Sequence, residues 1–156
     1  LFQPLRQQWL TNWHNVALAR LQLADFPTDE WSWGERIDSF APFEPLYLTL
    51  AESDPSNRAA WHRLGFLAMN RGEYETAVFY LENAHQLDPD HRGIRKLLGY
   101  SYTWLGEPEK GREQLLFISE SRRELFIYND WWTSRGQPEL GRASQAMARQ
   151  LPPANR

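Results

Sequence analysis

Cysteine is absent and lysine nearly so, since only Lys96 and Lys110 among the 17 basic residues are lysines. Without thiols there is no disulfide, no thiolate nucleophile and no cysteine ligand for a structural zinc. No apolar run approaches the roughly 20 residues of a membrane span, so direct membrane insertion of this segment is not expected. A strong basic field is missing as well: net charge is −3 and the isoelectric point about 5.8, which argues against a nucleic-acid partner. No initiator methionine stands at residue 1 and no signal peptide is visible. The chain is therefore expected to be an excised piece or a processed product, with a covalent continuation into a transmembrane protein outside it. Catalytic motifs are missing too. His14, His62, His85 and His91 have no H-E-x-x-H spacing, and no G-x-S-x-G, P-loop or G-x-G-x-x-G occurs. The expectation is a non-enzyme without cofactor or metal. What is abundant is aromatic: 8 tryptophans, and aromatic residues at 14% of the chain.

The clearest periodic stretch is 58–91, which reads as two amphipathic helices around the turn Asn70-Arg71-Gly72. Trp61, Leu64 and Ala68 recur at spacings of three and four and share a helix face with Gly65. A mid-helix glycine costs about 1 kcal/mol relative to alanine, so Gly65 points to a neighbouring helix that approaches closely. Ala77, Leu81 and Ala84 face back from the second helix, which Asp88-Pro89-Asp90 ends, because the residue before a proline is pushed out of the helical region. Further on, Leu98-Gly99-x2-Tyr102 repeats the first half, and Gly106 follows Gly72 by 34 residues. Gly136 follows Gly106 by only 30, so four residues are missing from the second helix of that unit and its exit.

Towards the N-terminus, residues 4–25 read as a helix with Leu5, Trp9, Trp13, Val16, Ala17 and Arg20 on one side. Residues 26–41 break the period, with Pro27 and Gly34, and the acidic residues Asp25, Asp29, Glu30, Glu35 and Asp38 cluster around this insertion. These lack the order of a calcium loop and read as solvated. A helix start is expected near Asp38, and Leu46, Tyr47 and Leu50 share a face further on. Trp31 and Trp33, two apart in an extended segment, are expected to fold back on the helices. Residues 122–135 form another first helix, apolar nearly all round, with Leu125, Tyr128 and Trp132 as core and Phe126, Ile127 and Trp131 also apolar. Such a helix is buried on several sides or lies at an interface. The closing helix 138–151 turns Leu140, Ala143, Met147 and Leu151 inward and Arg142, Arg149 and Gln150 outward.

The pattern W-x2-L-G-x2-A, then A-x3-L-x2-A, then proline over 58–91 resembles the tetratricopeptide repeat, with Ala68 where an aromatic is usual. The resemblance implies an all-α, right-handed solenoid of about four helical hairpins within a single domain, 1–156. Its units are a degenerate repeat at 10–57 with an insertion at 26–39, a repeat at 58–91, a shortened repeat at 92–121, and a final repeat with capping helix at 122–151. It also implies a concave groove lined by the first helices, which takes a protein or peptide partner. Carried over position by position, the groove residues become His14, Leu18 and Gln22 in the degenerate unit and His62, Phe66, Met69 and Asn70 in the next. Lys96, Tyr100, Thr103 and Trp104 follow, then Phe126 and Asp130, with Arg63 nearby. A lysine–asparagine clamp for a terminal carboxylate would have only Lys96 and Asn70, and Tyr100 stands where an asparagine belongs. Tyr100 and Trp104 are accordingly expected to serve binding, and their joint removal to cost less stability than loss of Leu64 or Leu98. The alternative is a carbohydrate- or small-ligand-binding domain using Trp31 and Trp33. A second, shorter resemblance covers His91-Arg92-Gly93-Ile94-Arg95-Lys96-x2-Gly99-Tyr100, Trp104-Leu105-Gly106 and Tyr128-x2-Trp131-Trp132. These residues look like C-terminal repeat domains of bacterial polysaccharide-assembly membrane proteins of the O-antigen ligase type, and would make the chain a soluble appendage of a larger membrane protein.

Overall fold

Three glycines set the spacing of the structure. Gly72, Gly106 and Gly136 take φ of 78°, 89° and 73°, the left-handed region in which a side chain is strained. At each, the next backbone N–H reaches back six residues inclusively: Glu73 to the Ala68 carbonyl at 3.0 Å, Glu107 to Tyr102 at 2.8 Å and Gln137 to Trp132 at 3.0 Å. The same closure thus ends three helices and starts three new ones within two residues.

The computed structural model describes residues 3–23 and 40–153. The expectations for Trp31, Trp33 and a helix start near Asp38 lie outside the described residues. Among the described residues eight α-helices follow in order: α1 (Gln3–Leu23), α2 (Glu44–Ser53), α3 (Arg58–Asn70), α4 (Tyr74–Leu87), α5 (Arg92–Leu105), α6 (Pro108–Leu115), α7 (Ser121–Ser134) and α8 (Pro138–Gln150). A short 3-10 turn at Ala41–Phe43 precedes α2. No strand occurs among the described residues, so the chain is an all-α helical-repeat solenoid. No described helix is long and apolar enough to cross a membrane.

Side chains cap two of these helices. Asn57 accepts the Ala60 N–H at 3.1 Å and opens α3, while His91 Nδ1 accepts the Ile94 N–H at 3.2 Å and opens α5. Arg71 bridges the first turn to α2, donating to both Glu44 oxygens at 2.9 and 2.7 Å and to both Glu73 oxygens at 2.9 and 2.8 Å.

Consecutive helices pair at five steps: α2 with α3, α3 with α4, α4 with α5, α5 with α6, and α7 with α8. The interior forms two clusters. One gathers Leu18, Phe40, Tyr47, Leu50, Leu64 and Leu67, the other Leu81, Ile94, Leu98, Leu115, Leu125 and Met147 among others. Trp61 and Tyr80 pack against both and join them. Close approach is arranged by small residues. A Cβ on Gly65 would lie 2.4 Å from Leu81 Cγ, which is why α3 carries glycine there and α4 can bring a full leucine onto its backbone.

Two departures from the sequence reading have physical causes. α1 buries Thr11 and Leu18, while Leu5, Trp9, Trp13 and Val16 stay exposed. With apolar residues on both faces, spacing alone does not choose the inward one. In α2, Tyr47 and Leu50 are buried and Leu46 is exposed.

The hairpin of α5 and α6 is the shortened one. α6 has 8 residues against 14 in α4, and the chain turns at Leu116 and Phe117 before Ile118 re-enters the core. This early turn brings α8 against both α5 and α6.

Candidate functional site

The first helices α3, α5 and α7 carry most of the sequence-derived site residues, and the packing of the last hairpin decides which of them stay exposed. Four do not present contact surface. Tyr100, Thr103, Trp104 and Met69 are 1%, 3%, 8% and 9% exposed. Tyr128 of α7 lies edge-on to Tyr100 and Trp104 at 5.4 and 5.0 Å, and Trp132 lies edge-on to Trp104 at 5.3 Å. From α8, Ser144 accepts the Trp104 indole N–H at 2.9 Å. The last hairpin therefore closes over these rings and makes them core, a correction to their reading as groove contacts. Thr103 turns its hydroxyl back to the Gly99 carbonyl at 2.8 Å, and Met69 joins the same cluster.

Electrostatics follow this burial. Tyr100 donates to Glu124 at 2.6 Å, and burial, with that bond to a carboxylate behind it, holds its hydroxyl far above the ordinary value. Burial and the nearby Glu124 push Tyr128 up to about 12. Both stay neutral. Glu124 also takes an ion pair from Lys96 at 3.2 Å, and Lys96 reaches Glu120 at 3.7 Å. Arg92 pairs with Glu120 as well. Lys96 thus straps α5 to α7.

The remaining residues divide further. Arg63 donates to Asn15 of α1 at 3.0 Å, where Tyr47 also donates at 3.0 Å, so it ties three helices together. Phe66 packs against Phe40 at 6.0 Å, and Asn70 donates to the Phe66 carbonyl at 2.6 Å. Leu18 is fully buried, while His14 lies edge-on to Tyr47 at 6.1 Å. The Gln22 side chain lies outside the described residues. His62 stacks edge-on with His91 at 5.3 Å, and a Cβ on Gly93 would touch both imidazoles. Phe126 and Asp130 are exposed on α7, Phe126 under the Arg122 guanidinium at 6.0 Å and Asp130 accepting from Asn129 at 2.9 Å.

Sequence reasoning passed over Arg123 and treated Ile127 only as one of several apolar residues on α7. Both are exposed beside Phe126, opposite the buried Leu125 and Trp132. The signal was present, because Arg123 holds the second position of the same repeat register.

Burial, then the charges of Arg63, His91 and Arg58, push the His62 pKa down from 6.5 to about 3. The unfolded chain takes up a proton near pH 6.5 that the folded chain refuses, so this stability is complete above about pH 6.5 and is lost as pH falls towards 3. Thermal melts between pH 7 and about pH 4 should show a shallower loss of stability for His62→Gln than for the parent. Equal slopes would remove His62 from the account.

Residues 58–91 match the family model described as Tetratricopeptide repeat. The match covers α3, α4, the turn between them and the turn after α4. No curated protein matches the chain. Residues 58–91 are thus a tetratricopeptide repeat, and such repeats serve in general as non-enzymatic protein–protein interaction modules.

Proposed function

We propose that the chain takes a peptide or helical protein partner along the face of its first helices, and that the accessible part of that face lies on α7. One observation carries this reading. Arg123, Phe126, Ile127 and Asp130 are all exposed on one side of α7, while the other side is anchored by Leu125 and Trp132. An aromatic and an aliphatic side chain, flanked by charges of both signs and held on a rigid helix, have the composition of an interface centre. Phe66, His62, Asn70 and Lys96 extend the face on α3 and α5, with Arg63 beneath. Tyr100, Thr103, Trp104 and Met69 form its floor.

Selection of peptide ligands against the whole chain, followed by titration, tests this. Phe126→Ala should weaken a selected ligand by at least about 1 kcal/mol with the thermal midpoint nearly unchanged. Ligands indifferent to both Phe126→Ala and Ile127→Ser would place the binding surface elsewhere.

The reading extends to a soluble appendage of a larger membrane protein, supported by the second resemblance over 91–132. The full-length gene product decides this, with transmembrane spans upstream of Leu1 as the expected result.

A further inference from the structure

α1 has a second face that the repeat packing does not use. Leu5, Trp9, Trp13 and Val16 recur at spacings of three and four and are 65%, 63%, 59% and 50% exposed. Trp9 and Trp13 stack face to face, with centroids 6.0 Å apart and planes inclined by 13°. The opposite side is committed to the fold, since Thr11 and Leu18 are buried and Asn15 binds Tyr47 and Arg63. The stripe therefore cannot turn inward without giving up those contacts. Its charge is of one sign: Arg6 and Arg20 lie exposed along it, and no aspartate or glutamate occurs in α1, in a chain whose net charge is −3.

We propose that this stripe docks peripherally on an anionic lipid bilayer, lying along the surface without crossing it. Tryptophan suits the interfacial zone, where the ring meets apolar chains and the indole N–H meets headgroup oxygens. A helix with an apolar stripe and arginines beside it gains both burial and attraction to acidic headgroups. Among the described residues, the four side chains of the stripe stand exposed along the helix. The cavity beside α1 opens on its polar edge, among Gln8, Asn12, Asp54 and Asn57. A second copy of this chain fits less well. Antiparallel pairing about Trp13 sets Arg6 near Arg20 of the other helix, parallel pairing sets each arginine beside its twin, and α1 offers no carboxylate to neutralise either. The proposal is separate from the α7 face, and either can fail without the other.

The test is co-sedimentation of the whole chain with vesicles of phosphatidylcholine alone and of phosphatidylcholine with phosphatidylglycerol in a two-to-one ratio, at low and at physiological salt. The parent should partition onto the anionic vesicles, more strongly at low salt. Trp9→Gln with Trp13→Gln should lower that partition about tenfold or more. Arg6→Gln with Arg20→Gln should lower it on the anionic vesicles only. All four side chains are exposed, so both double variants should melt with the parent. Absence of partition onto anionic vesicles, or partition undiminished in the tryptophan variant, overturns the proposal. So does a concentration-dependent dimer that the tryptophan variant dissolves, since the occupant is then a second copy.

Discussion

Trp104→Ala is expected to lower folding stability by about 3–5 kcal/mol, the largest effect of any substitution considered, and to do so in the absence of any partner. The ring is 8% exposed and touches Tyr74 of α4, Tyr100 of α5, and Tyr128 and Trp132 of α7. Its N–H bonds Ser144 of α8. Truncation would empty a space walled by four rings and take away the indole donor to Ser144, which keeps only its bond to the Leu140 carbonyl, so cavity and hydrogen-bond losses add. Urea unfolding reads the outcome. The midpoint should fall well below that of Phe126→Ala, which should stay within about 1 kcal/mol of the parent. This puts Trp104 among the residues that serve stability, beside the buried Leu64 and Leu98, whereas the sequence reading assigned Tyr100 and Trp104 to binding. A Trp104→Ala chain as stable as the parent would mean that the last hairpin does not pack on α5.

The second large effect is expected at Gly111. A Cβ there would lie 2.8 Å from Thr103 Oγ1, 3.0 Å from the Gly99 carbonyl oxygen and 3.2 Å from Met147 Cε. Two of these neighbours cannot step aside at little cost. One is backbone, and the other is a hydroxyl bonded to that same carbonyl. Gly111→Ala sets this clash against the better helix propensity of alanine, worth about 1 kcal/mol. Gly111→Val adds two methyl groups, and the loss should reach about 3 kcal/mol. The device recurs at Gly141, whose Cβ would lie 2.8 Å from Thr133 Oγ1 and 2.9 Å from the Asn129 carbonyl oxygen. Thr133 again bonds that carbonyl, at 2.7 Å. In the last two hairpins, then, a threonine folds its hydroxyl back on its own helix and a glycine of the second helix rides over it. A valine at 111 that left the urea midpoint unchanged would mean that α5 and α6 stand further apart than this contact requires.

The stretch from α3 to α6 was legible because its signals are local. Gly65 and Gly99 mark close helix contacts, the left-handed glycines mark the turns, and aspartate–proline pairs mark exits. Even the short α6 could be read, from the contraction of the glycine spacing between Gly106 and Gly136. How the hairpin after the short α6 packs was not legible, because the placing of α7 and α8 is a matter of three-dimensional packing. Tyr100 and Trp104 hold groove positions only if the following hairpin leaves their rings open. Here Tyr128, Trp132 and Glu124 come down on them. α1 failed for another reason, since its apolar residues lie on two faces and the spacing rule is satisfied by either. α7 was read as apolar all round, and the structure resolves that into one buried side and one exposed side.

The account as a whole is tested most directly by a hydrogen-exchange footprint of the chain with and without a peptide obtained by selection against it. Exchange should slow on binding along α7, around Arg123, Phe126, Ile127 and Asp130. The amides of α5 near Tyr100 and Trp104 should already be protected in the free chain and should change little. Protection gained only on the second helices α4 and α6, or a free chain in which the Trp104 region exchanges rapidly, would contradict it.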